Sequence, residues 1–132
     1  MKNYSIISGR KIRVAVVGCG RISKNHFDSI EKHQKDLVLV SICDSKKPIL
    51  DEHKLKYQVN AYLDLNDMLK NEKLDLVVLC TPSGVHADQT ELCASYHINV
   101  MTEKPMATRW NDGLRMVRAC DNASVQLFVV KQ

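Results

Sequence analysis

Gly18-Cys19-Gly20-Arg21-Ile22-Ser23 is a glycine loop placed directly after an apolar, β-branched run, Lys11 to Val17 (KIRVAVV). Gly18 permits a tight turn, and Gly20 lets the backbone approach a ligand with no Cβ in the way. A helix that follows such a loop points its free N–H groups and positive dipole end at the same spot, which suits a diphosphate. Ser23 stands where this fingerprint prefers Gly or Ala, and is small enough to serve. Arg21 adds a positive charge. The plain alternative is a turn between strand and helix with no ligand. Asp44 narrows the choice. It closes a second apolar run, Leu37 to Cys43 (LVLVSIC), and lies 44 − 18 = 26 residues after Gly18. A carboxylate there accepts hydrogen bonds from the hydroxyls of an adenosine ribose. Its charge repels a 2′-phosphate, so the expected cofactor is NAD rather than NADP. Lys46 and Lys47 pull the other way, and Asp44 could instead cap the next helix.

Two later loops carry further chemistry. One is Thr81-Pro82-Ser83-Gly84-Val85-His86, after Leu74 to Cys80. The other is Thr102-Glu103-Lys104-Pro105, after Ile98 to Met101. Ligands of open parallel sheets sit at the carboxyl ends of the strands. Thr81 offers a hydroxyl to the cofactor ribose or nicotinamide edge, and Pro82 stiffens its turn. His86 reaches substrate or cofactor, or simply begins a helix. Lys104 is placed at a strand end rather than on a solvated helix. A Lys held near a nicotinamide orients a substrate hydroxyl and helps move its proton; otherwise it is a surface loop residue. A cis bond before Pro105 fits a functional turn.

These residues need a scaffold, and the pattern supplies one. Helices are predicted over Arg21–His33 (Ile22, His26 or Phe27, and Ile30 inward), Pro48–Tyr57 (Ile49, Leu50, Leu55), Leu65–Lys70, Ala87–Tyr96 and Trp110–Asp121 (Leu114, Val117, Ala119). Short strands are predicted at Ala61-Tyr62 and over Gln126–Val130. Strands apolar on both faces, alternating with helices, mean a parallel sheet covered on both sides. Right-handed crossovers then give an α/β, doubly wound parallel sheet of Rossmann type in a single domain, residues 11–132, behind an N-terminal extension, residues 1–10.

Composition bounds the rest. The chain has 132 residues, one domain's worth. Its 19 basic residues against 15 acidic ones are scattered, and only 5% of residues are aromatic, which argues against nucleic acid as a partner. No apolar run approaches the ~18 residues of a membrane helix, and the N-terminal apolar stretch is too short for a secretory signal. The expectation is a chain of the cytoplasm with no membrane partner. The five cysteines form no Cys-x-x-Cys pair, so reduced, mostly buried thiols are expected rather than disulfides or a metal site. Cys19, in the glycine loop, is the one expected to be exposed.

Val14 to Ile22, Thr81 to His86 and Glu103-Lys104-Pro105 together resemble the glucose–fructose oxidoreductase / inositol dehydrogenase / rhizopine-catabolism (Gfo/Idh/MocA) family, from about Lys11 onward. Val100 to Trp110 and Phe128 to Gln132 look closer to one subgroup, the bacterial UDP-N-acetylglucosaminuronate 3-dehydrogenases of lipopolysaccharide O-antigen synthesis. The resemblance implies an NAD-dependent enzyme that oxidises the 3-hydroxyl of a UDP-N-acetyl-hexuronic acid. It implies cofactor contacts from Gly18, Cys19, Gly20, Arg21, Ile22, Asp44, Thr81, Pro82, His86, Glu103 and Lys104, with Lys104 also catalytic and no metal. That family carries a second α/β domain with most of the substrate site, a His partner for the Lys, and the surface through which homo-oligomers form. The resemblance therefore implies an isolated N-terminal domain that binds cofactor but turns over poorly or not at all alone. A non-catalytic nucleotide-binding or redox-sensing module, and a dehydrogenase of free sugars or inositol, are the other readings.

Overall fold

The computed structural model describes residues 3–131. Strands β1 (Ile12–Val17), β2 (Leu37–Cys43), β3 (Asn60–Tyr62), β4 (Leu76–Leu79), β5 (Asn99–Thr102) and β6 (Leu127–Val129) form one sheet. Helices α1 (Ser23–Lys32), α2 (Lys47–Tyr57), α3 (Leu65–Asn71), α4 (His86–Ser95) and α5 (Trp110–Ala123) connect them, and a 3₁₀ turn, Ser83–Val85, leads into α4. The strand order is β3-β2-β1-β4-β5-β6, and every pairing is parallel. This is the doubly wound sheet that the alternating pattern predicted.

Alternation along each strand sorts the core into two layers. Ala15, Val17, Val77, Leu79 and Val100 face α3, α4 and α5, against Met68, Leu69, Cys93, Ala94 and Cys120. Val14, Val16, Ile42, Val78 and Cys80 face α1 and α2, against Phe27, Ile30 and Leu50. The last four residues of β1 are buried on both faces, which is why its sequence is a continuous apolar run.

Several expectations shift. The apolar run from Leu74 to Cys80 is longer than β4, because single hydrogen bonds continue past both ends, Asp75 N–H to Arg13 O and Cys80 N–H to Val17 O. On α5 the buried residues are Met116 and Cys120, while Val117 is 45% exposed. On α2, Leu55 points to solvent at 81% exposure; it lies about 140° round the helix from the buried Leu50.

The amino ends of β1 and β4 are tied by Asp75. Its carboxylate accepts from the Arg13 backbone N–H at 2.8 Å and from both terminal nitrogens of Arg10 at 2.7 and 2.9 Å. The Arg10 guanidinium, and then the Arg13 N–H, hold the Asp75 carboxyl below its ordinary value of 3.8 against the opposing effect of burial. The folded-state pKa lies below the unfolded one. The stabilisation is therefore complete above about pH 5 and is lost as pH falls through the folded-state value. Asp75→Ala is expected to cost about 1–2 kcal/mol at pH 7, chiefly from the charged acceptor lost to the Arg13 N–H. Urea titrations at pH 7 and pH 3 check this, and the difference between variant and parent should shrink at the lower pH.

Candidate active site

The switch in strand order falls between β1 and β4, where the chain runs outward to β3 and then returns across β1. A crevice opens there at the carboxyl ends of the strands. Gly18 lines its floor with φ +89°. A Cβ on it would stand 2.8 Å from the carbonyl carbon and oxygen of Cys80. Only glycine satisfies both the backbone angle and that approach. Gly20 is different: a Cβ there would meet nothing within 4 Å, so its space is free for a ligand. Helix α1 begins just beyond, with no side-chain cap on its first N–H groups and no acidic residue in its first turn. An uncapped start beside an open glycine is the arrangement a diphosphate needs. Ser23, fully buried, turns its hydroxyl back to the Gly20 carbonyl, which locks the loop. Arg21 is exposed beside it and Ile22 is half-buried.

Asp44 does not cap α2, whose N-cap is Lys46 and whose first turn has no side-chain cap. One carboxylate oxygen accepts from the Cys19 N–H and the other from the Lys46 N–H, each at 2.8 Å. The carboxylate thus joins the glycine loop to the turn after β2, and the side chain remains partly exposed. Each oxygen keeps a lone pair for a further donor. Of the two nearby lysines, Lys47 is paired with Asp51 at 3.0 Å along α2.

The expectation of an exposed Cys19 is corrected. Its side chain is 2% exposed and its thiol lies against the Cys43 carbonyl. Burial, then Asp44 and Cys43, push that thiol up to about 12. Cys19 meets the crevice through its backbone alone. All five cysteines are buried and free.

The later loops are more internally engaged than their sequences suggested. The Thr81 hydroxyl donates to Gln89 Oε1 at 2.6 Å. Pro82 is exposed and precedes the 3₁₀ turn. His86 is the first residue of α4 and only 1% exposed. Its Nε2 donates to the Thr81 carbonyl at 2.7 Å, while its Nδ1 lies 2.9 Å from Thr102 Oγ1 and 3.1 Å from the Met106 carbonyl. The ring clasps the two loops from beneath, with both nitrogens occupied within the chain.

Lys104 stands on the rim of the crevice. It is exposed, and no carboxylate among the described residues pairs with its amine. The bond to Pro105 is cis, the isomer the sequence suggested. Glu103, its neighbour, is only 6% exposed. One Glu103 oxygen meets His26 Nε2 at 2.6 Å and the other accepts the Lys104 N–H at 3.3 Å. His26 appeared in the sequence only as a candidate for the apolar face of α1. The signal that would have found it is a buried carboxylate, which requires donors. Among the described residues no group of three or more His, Cys, Asp or Glu is gathered for a metal. None of their helices is long and apolar enough to cross a membrane.

Fold and loop together define a dinucleotide-binding domain of the doubly wound class. Residues 12–131 match the Gfo/Idh/MocA oxidoreductase family, NAD-binding Rossmann fold. The chain belongs to that family. It is 50% identical to the WlbA dehydrogenase of Bordetella pertussis, solved with NADH and UDP-GlcNAcA; the TM-score is 0.92, over 93% of this chain and 38% of that one. The Chromobacterium violaceum WlbA, solved with the same two ligands, is 47% identical with a TM-score of 0.97 over 100% of this chain and 38% of its own. The myo-inositol 2-dehydrogenase of Thermotoga maritima is 31% identical over 118 residues, 89% of this chain and 35% of the relative. The chain thus spans well under half the length of these relatives.

Proposed function

We propose that this chain is the cofactor-binding domain of an NAD-dependent dehydrogenase acting on a sugar nucleotide, with C3 of a UDP-N-acetyl-hexuronic acid as the reacting carbon and lipopolysaccharide O-antigen synthesis as its setting. The observation that carries the reading is the exposed Lys104 beyond the carboxyl end of β5, at the same end of the sheet as a loop shaped for a diphosphate, with no carboxylate among the described residues paired to its amine. The two solved relatives at about half identity hold NADH and UDP-GlcNAcA. NAD supplies the hydride acceptor when bound. The loop of Gly18, Cys19, Gly20, Arg21 and Ile22 fits its diphosphate, and Asp44 its adenosine ribose. Thr81, Pro82 and Glu103 shape the nicotinamide end of the crevice, with His86 clasping them from below. Lys104 orients the substrate hydroxyl and helps remove its proton as hydride leaves the same carbon, so alcohol and NAD become ketone, NADH and a proton. The whole protein works in the cytoplasm as a homo-oligomer in this reading.

The test is direct. The full-length protein with NAD and UDP-N-acetylglucosaminuronic acid should raise absorbance at the reduced-nicotinamide band. A response to myo-inositol instead would favour the second reading, which the Thermotoga maritima relative supports. No response to either would favour a nucleotide-binding module without chemistry. For Asp44 the expected result is NAD binding tighter than NADP. Asp44→Ala should weaken NAD by about tenfold, one charged hydrogen bond's worth, and narrow the preference. Calorimetric titration with both cofactors checks it, and parent protein that prefers NADP would reject the role.

A further inference from the structure

Glu103 poses a question that the proposed chemistry does not answer. This carboxylate at the mouth of the crevice is turned inward rather than toward solvent. Its side chain is 8% exposed, and its principal partner is His26 Nε2 at 2.6 Å, itself only 13% exposed. Glu103 also lies by the Cys80 thiol, which burial first and Glu103 next push up to about 12. The carboxylate therefore sits under the rim, between α1 and the end of β4. Burying a carboxylate costs several kcal/mol unless donors replace its water. Here the donors are His26 and the Lys104 backbone N–H.

The two partners belong to different parts of the site. His26 sits on α1, one turn beyond the loop fitted to the diphosphate. Lys104 follows Glu103 directly, so its backbone is held by the same carboxylate. We propose that His26 is a positioning residue: through Glu103 it ties the backbone of Lys104 to the helix that carries the dinucleotide loop. The inference rests on the reading of Lys104 as the hydroxyl-contacting residue. His26 touches neither cofactor nor substrate in this scheme. It sets where the Lys104 amine stands relative to a bound nicotinamide. Geometry errors of about 1 Å in such a group cost of the order of 100-fold in rate.

The experiment uses the full-length protein as parent, His26→Ala, His26→Gln and Glu103→Gln. Gln keeps an N–H donor near the position of Nε2 without an imidazole. Two quantities are read: kcat with the UDP-hexuronate, and the protection that saturating NAD gives the Lys104 amine against acylation, followed by peptide mass spectrometry. The second needs no sugar. Parent protein should show strong protection. His26→Ala should bind NAD within about threefold of the parent, lose most of the protection and lose 10–100-fold in kcat. His26→Gln should recover at least tenfold of that loss relative to His26→Ala. Should His26→Ala fail to fold, His26→Gln and Glu103→Gln still decide the matter: the first should keep protection and the second should weaken it. Unchanged protection and kcat in His26→Ala, or in Glu103→Gln, would overturn the tie. A parent in which NAD leaves Lys104 unprotected would overturn the reading of Lys104 itself, and the tie with it.

Discussion

Replacing Lys104 with methionine in the full-length protein should lower kcat by about 10²–10⁴-fold, the range for losing a positioned proton-transfer group. NAD affinity should stay within about threefold, because the diphosphate and adenosine contacts proposed above lie on the glycine loop and Asp44, not on β5. Methionine preserves most of the length of the stem and removes only the amine. The substitution should also leave the fold untouched, since the side chain is exposed and pairs with no carboxylate among the described residues. Steady-state kinetics with separate titration of NAD distinguishes the outcomes. A variant with full turnover would remove Lys104 from the chemistry. A variant that lost NAD binding and kcat together would make it a cofactor ligand instead.

The second large effect divides two glycines two residues apart. Gly18→Ala places a methyl group 2.8 Å from the Cys80 carbonyl, at φ +89°. Strain at that angle and the backbone clash are each worth about 1–3 kcal/mol, so the expected loss is about 2–6 kcal/mol. That is a large share of the stability of an ordinary domain. Gly20→Ala meets nothing within 4 Å and should leave the melting midpoint nearly unchanged. Its methyl projects into the space a diphosphate needs, so NAD affinity should fall by at least about tenfold. Thermal melts with and without NAD separate the two: Gly18→Ala lowers the midpoint in both, and Gly20→Ala reduces only the ligand-induced rise. If both variants melted like the parent and bound NAD like the parent, the loop would not be the diphosphate site.

The order of elements was legible because each strand at the centre of the sheet is buried on both faces. Runs such as Val14–Val17 and Val77–Leu79 are then continuous, and no periodicity has to be guessed. Helix faces were less legible. Leu55 and Val117 are apolar by type yet lie away from the sheet, while Met116 and Cys120 take the buried places on α5. Composition says that a helix has an apolar stripe, but its exact azimuth is set by the partner layer. The glycine loop and Asp44 were readable because their residue types stand at the ends of recognisable strands, which identifies them without knowledge of their partners. His26 was not, since its partner Glu103 lies 77 positions away. Thr81 and His86 were hidden for another reason: side-chain packing, not sequence distance, gives the Thr81 hydroxyl to Gln89 and turns the His86 ring onto Thr102 and Met106.

The distribution of the five thiols has a practical consequence. Cys43, Cys93 and Cys120 belong to one core layer, and Cys19 and Cys80 to the other. A thiol reagent that meets none of them in the closed protein meets each when its own layer parts. The chain thus carries a built-in recorder of its own breathing, and one that is spatially resolved. Slow labelling sorted by peptide would report which layer loosens first. With NAD added, a selective slowing at Cys19 and Cys80 would trace how far the grip of the ligand reaches into the interior.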